Sequence, residues 1–145
     1  MALGIMSEEK EVRTNVARWR RSVELRVFLV EDLQTMRSLL QALFAALGGI
    51  QTVGGAGTEA EANLWLLENA GRWDVALVDL VLEQGSGMSV VRRARQSHPH
   101  GKVIVFSAYA SPAVHQHCLG LGADAVFSKS DTGAFIGWLS GQCRS

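Results

Sequence analysis

From residue 24 onward, short apolar runs rich in β-branched residues take turns with helix-length amphipathic stretches, and few architectures accommodate that alternation. The candidate strands are Leu25–Val30 (LRVFLV), a weaker Ile50–Val53, Asp74–Val78, Lys102–Phe106 and Ala125–Phe127. Three of them read as largely continuous apolar runs, as strands covered on both faces do. The spacing predicts helices over Leu33–Leu47, Thr58–Asn69, Met88–Gln96, Pro112–Leu121 and Thr132–Leu139. In the first, Leu33, Met36, Leu40, Leu43 and Leu47 fall on one face, and Gly48-Gly49 ends it. The second opens with Thr58, Glu59 and Glu61, a capping residue followed by early acids. Pro112 behind Ser111 suits a first helical turn. Strict β-α alternation predicts an α/β fold: a doubly wound, five-stranded parallel sheet with five helices.

A length of 145 residues suits one such domain, expected over residues 25–145, and leaves no room for a second. Residues 1–24 stand ahead of the pattern as an N-terminal extension. There Val12, Val16, Trp19 and Val23 recur at helical spacing behind Ser7, which reads either as an additional helix or as a tail. Fourteen Lys and Arg offset fourteen Asp and Glu, so the basic surplus that nucleic-acid binding requires is missing. No apolar run approaches the roughly 20 residues of a membrane span, and the N-terminus lacks a secretory pattern. Cys118 and Cys143 are too few for a disulfide framework. These features lead us to expect a cytoplasmic protein with neither nucleic-acid nor membrane partners.

In open α/β sheets, sites form where the carboxyl ends of strands meet their loops. The first strand runs into Glu31-Asp32, the third into Asp79, the fourth into Ser107 and the fifth toward Lys129. Three carboxylates brought together repel unless a cation joins them. A small hard divalent ion with oxygen ligands, Mg²⁺ in a cell, answers that need. With Lys129 as a second positive centre and Ser107 as a hydroxyl donor, the set suits phosphoryl transfer to the Asp79 carboxylate. Gly85 and Gly87 would let backbone pass close to the phosphoryl group.

Glu31-Asp32, Asp79, Gly87, Ser107-Ala108 and Lys129, in this order, resemble the receiver domain of two-component response regulators. The segments VEDLQTMRSLL, DVALVDLVLEQGSGM and GADAVFSKS carry the likeness, which runs from about Leu25 to about Cys143. The resemblance implies a flavodoxin-like fold and a phosphoacceptor module in a phosphorelay. Asp79 would take the phosphoryl group from a histidine kinase or histidine phosphotransfer protein. Glu31, Asp32, Asp79 and the Val81 backbone carbonyl would hold Mg²⁺, while Ser107, Ala108 and Lys129 would stabilise the phosphoryl group. The switched face would engage a downstream protein target, with the chain a monomer or weak homodimer and without its own output domain.

The chain departs from the family pattern in places. Glu83 and Ser130 stand where Pro is frequent, so a cis peptide after Lys129 is not implied. The aromatic switch position is Val126, and Phe127 beside it should face the other way. Tyr109, two residues after Ser107, which matches the family's switch hydroxyl, is a candidate shield for the phosphoryl group. Two alternatives compete with the signalling reading: an aspartyl-nucleophile phosphatase, and a degenerate receiver that binds proteins without being phosphorylated. Such a phosphatase needs a second acid two residues after its nucleophile, where this chain has Val81, so a turnover enzyme is not expected. His115, His117 and Cys118 look like a metal cluster, but positions two apart on one helix do not share a face, so they read as incidental. The Gly-rich stretch Gly54–Gly57 reads as a strand-to-helix turn, because it lacks the ending of a phosphate-binding P-loop.

Overall fold

The computed structural model describes residues 24–144, so the expected extension over residues 1–24 lies, but for Glu24, outside the described residues. Five strands, β1 (Leu25–Val30), β2 (Ile50–Ala56), β3 (Val75–Val78), β4 (Lys102–Ser107) and β5 (Ala125–Ser128), alternate with helices. The helices are α1 (Gln34–Leu47), α2 (Glu59–Glu68), α3 (Gly87–Ser97), α4 (Pro112–Leu121) and α5 (Thr132–Arg144). Every strand pairing is parallel, in the order β2-β1-β3-β4-β5. The doubly wound sheet expected from the alternation forms, in the flavodoxin-like order that the resemblance implied. Chain order reverses beside β1, and the crevice at that reversal is where such folds place their ligands.

Side-chain alternation along the strands divides the interior into two layers. Phe28, Val30, Ala76, Val78, Val103 and Val105 face α2, α3 and α4, meeting Leu66, Val90, Val91 and Cys118. Val27, Leu29, Val75, Leu77, Ile104 and Phe106 face α1 and α5, meeting Leu40, Phe44, Phe135 and Leu139. Each large side chain so buried contributes about 1.5–3 kcal/mol. That double burial explains why the central strands carry no polar alternation.

Several element ends differ from the sequence expectation, each for a physical reason. Helix α1 starts at Gln34, with Leu33 in extended conformation at the cap and largely exposed. Its inward face is centred on Leu40 and Phe44, and Leu47 lies toward solvent. Asp74 precedes β3, where its carboxylate accepts hydrogen bonds from the Arg26 backbone and guanidinium. Helix α3 starts at Gly87, capped by the Ser86 hydroxyl. Strand β2 continues through Gly54 and Gly55 to Ala56, so the turn expected there is strand instead. The Trp65 indole stacks on Phe28 with ring centroids 4.0 Å apart, and a Cβ on Gly54 would run into that indole. The ladder slips between Val27 and Phe28, passing over Val53, and that bulge adjusts the strand beneath the ring.

Candidate functional site

Parallel pairing brings the carboxyl ends of β1, β3, β4 and β5 to one edge of the sheet, and the ladder extends one step past them. Glu31 N–H donates to Ala56 O at 3.0 Å, Asp79 N–H to Val30 O at 2.9 Å and Lys129 N–H to Ser107 O at 3.0 Å. These backbone bonds fix the residues just beyond each apolar run, so the acids are placed by the sheet itself. Glu31, Asp79 and Ser107 are buried, with exposures of 2%, 7% and 0%. Asp32 is half-buried at the rim.

Each of Glu31, Asp32 and Asp79 offers a carboxylate oxygen within 4.8 Å of the other two. Lys129 Nζ donates to Glu31 Oε2 at 2.8 Å and to Asp79 Oδ2 at 3.0 Å. The free oxygens are held by backbone amides: Leu33 N–H on Glu31 Oε1, Val81 N–H on Asp79 Oδ1 and Glu83 N–H on Asp32 Oδ2. Burial pushes the Glu31 carboxyl above its ordinary range; the Asp79 charge pushes the same way, against Lys129. Burial acts to lower the Lys129 ammonium, but its hydrogen bonds to Glu31 and Asp79 outweigh this and raise it. The lysine is therefore a fixed positive charge at neutral pH.

Three carboxylates against one ammonium leave the pocket negative, and every candidate donor is a hard oxygen. This set fits a small divalent cation such as Mg²⁺ and does not suit a soft metal. Among the described residues no histidine or cysteine joins this group: Cys118 is buried in the core and His117 is exposed.

The Ser107 hydroxyl oxygen accepts from Tyr109 N–H at 3.2 Å, and Ala108 and Tyr109 stand exposed beyond it. Val81 is also exposed and brings an apolar side chain, with no second carboxylate, to the position two after Asp79. Val126 points into the layer under α4, whereas Phe127 turns to the opposite face against Phe135 and Trp138, as the strand period requires. The Lys129–Ser130 peptide is trans.

The loop after Asp79 is tightly built. Gly87 lies so close to the Asp79 carbonyl that a Cβ there would collide with backbone, and Gly85 has φ +91° against the Glu59 side chain. Val81 and Ser86 form an antiparallel bridge that closes the loop. Glu59, read from sequence only as an early acid of a helix, accepts Ser86 N–H through Oε1 at 3.1 Å. Its own N–H donates to Gln84 O at 3.1 Å. Sequence reasoning missed this role, because the partners are 27 residues apart and meet only through the loop's path.

The response regulator receiver domain model matches residues 27–134. The chain is 31% identical over 103 residues to a cyclic di-GMP phosphodiesterase of Thermotoga maritima, covering 71% of this chain and 26% of that protein. It is 30% identical over 109 residues to the DNA-binding transcriptional activator DevR/DosR of Mycobacterium tuberculosis, covering 75% and 49%. It thus spans half or less of these relatives' own length. Among solved structures, a LuxR-family two-component response regulator from Aurantimonas sp. SI85-9A1 superposes with a TM-score of 0.74 at 22% identity, covering 83% and 86%. The response regulator domain of Thermotoga maritima CheB gives 0.72 at 18% identity, covering 84% and 98%. The chain belongs to the response regulator receiver domain family, a class of signalling modules in two-component systems.

Proposed function

We propose that the protein is a phosphoacceptor that takes a phosphoryl group on Asp79 from a histidine kinase or histidine phosphotransfer protein. One observation carries the reading: Lys129 Nζ bridges Glu31 and Asp79 inside a cluster of three carboxylates at the sheet's switch point. An Asp79 carboxylate oxygen attacks phosphorus, an acyl phosphate forms and the phosphorus–nitrogen bond to the donor imidazole breaks, the imidazole recovering its proton from solvent. Lys129 neutralises charge gathering on the phosphoryl oxygens, and Ser107 and the amide following it supply hydrogen bonds. Glu31, Asp32, Asp79 and the Val81 carbonyl would hold Mg²⁺, which when bound offsets the negative charge of donor and acceptor alike.

The module then acts by changing the surface it offers a downstream protein, with residues 25–145 as the working domain and the cytoplasm as its place. We read it as a switch with slow self-dephosphorylation instead of a turnover enzyme, because Val81 leaves no general acid beside the nucleophile. Incubation with acetyl phosphate and Mg²⁺ followed by intact mass tests this. The parent is expected to gain one phosphoryl group and Asp79→Asn none. Continuous phosphate release would favour a phosphatase, and an unmodified parent would favour a receiver that binds partners without phosphorylation.

A further inference from the structure

We infer that Glu59, at the start of α2, is a positioning residue that holds the β3–α3 loop over the acceptor carboxylate. The inference rests on the phosphoacceptor reading of Asp79. Residues 81–86 leave the buried end of β3 and return to α3, and their outer part is exposed. Such a segment would ordinarily sample many conformations. Two carboxylates from outside the loop pin it here. Asp32 Oδ2 accepts Glu83 N–H at 2.7 Å, and Glu59 Oε1 accepts Ser86 N–H at 3.1 Å while Glu59 N–H reaches Gln84 O.

Position passes from Glu59 to the acceptor through consecutive contacts. Glu59 fixes Ser86, the Val81–Ser86 bridge fixes Val81, and Val81 N–H points at Asp79 Oδ1 at 3.4 Å. A Cβ on Gly85, where φ is +91°, would collide with the Glu59 Cβ, so the loop passes directly against the start of α2 at this glycine. Without the carboxylate, the Ser86 amide loses its acceptor and the bridge to Val81 loses its anchor. Misplacing an acceptor by about 1 Å costs on the order of 100-fold in rate. Partial loosening of the loop is expected to cost less.

The experiment compares the parent, Glu59→Ala and Glu59→Gln in the full chain. It measures the rate of phosphorylation by acetyl phosphate with Mg²⁺, and amide hydrogen exchange over residues 81–87 without donor. Glu59→Ala is expected to slow phosphorylation about tenfold and to speed exchange at Ser86. Glu59→Gln keeps an acceptor oxygen and is expected to stay within about twofold of the parent, a rescue that general damage to α2 would not give. Phosphorylation of Glu59→Ala at the parental rate overturns the inference, as does Glu59→Gln as slow as Glu59→Ala. If the parent itself takes no phosphoryl group, the acceptor reading falls. The exchange arm then still decides, and unchanged Ser86 exchange in Glu59→Ala overturns the holding role.

Discussion

Tyr109 stands two residues beyond the Ser107 hydroxyl with 67% of its surface exposed, and its own N–H donates to Ser107 Oγ. We propose that the Tyr109 ring folds over the acceptor and excludes the water that would hydrolyse an acyl phosphate. The phosphorylated Tyr109→Ala protein is expected to decay about fivefold faster, equivalent to roughly 1 kcal/mol of barrier, when its lifetime is followed by intact mass. An unchanged lifetime would remove the ring from the account. Val126 belongs to the same scale. Its small side chain lies where the family's switching aromatic would be, and Phe127 is committed to the other layer by Phe135 and Trp138. β5 therefore offers no ring in that direction to which we would expect a movement of the Ser107 hydroxyl to couple. Glu31 and Asp79 were legible in the sequence because each is the first polar residue after an apolar strand, and the sheet dictates where strands end. The fine positions of Tyr109 and Asp32 were not, since rim side chains answer to loop paths that no periodicity encodes.

Among the elements, the β3–α3 loop is held by Asp32 and Glu59 from outside it. Glu83 occupies a position where Pro is frequent in the family, and its amide is the donor to Asp32. Glu83→Pro removes that donor and Glu83→Ala keeps it. Glu83→Pro is expected to lose about 1.5 kcal/mol, the worth of a hydrogen bond to a charged group, and Glu83→Ala to stay near the parent in urea unfolding. Gly87→Ala would drive a methyl group into the Asp79 carbonyl, so it is expected to destabilise by about 2–3 kcal/mol in the same assay and to slow phosphorylation. Strands and helices followed the hydrophobic period closely except at β2. A Gly-Gly pair there looks like punctuation, yet tertiary packing of Trp65 on Phe28 demands a bare backbone and keeps the strand extended. The Glu59 clamp was hidden for a related reason: a helix-capping acid and an acid that reaches across to another loop have the same signature in sequence.

For the molecule as a whole, the buried site contributes to how stability depends on pH. Glu31 has a folded value raised above its ordinary 4.5, so its contribution is fully present below that value and is lost as pH rises through the folded value. Lys129 is raised above 10.5, so its contribution persists up to that value and fades as pH climbs beyond it. A cation that neutralises the acids works where they are ionised. Mg²⁺ is therefore expected to raise Tm at pH 7, by the equivalent of about 2.7 kcal/mol at a hundredfold excess over Kd, and progressively less as pH falls toward 4.5. An equal gain at both pH values would argue against binding at these carboxylates. Finally, the aromatic residues are divided in a way that matters at the bench. Trp65, Trp73 and Trp138 pack in or against the two interior layers, and the sequence contains a single tyrosine, Tyr109, at the mouth of the pocket. Replacing tyrosine biosynthetically with a fluorinated analogue would give one fluorine resonance, and that line would report on the surface beside Ser107.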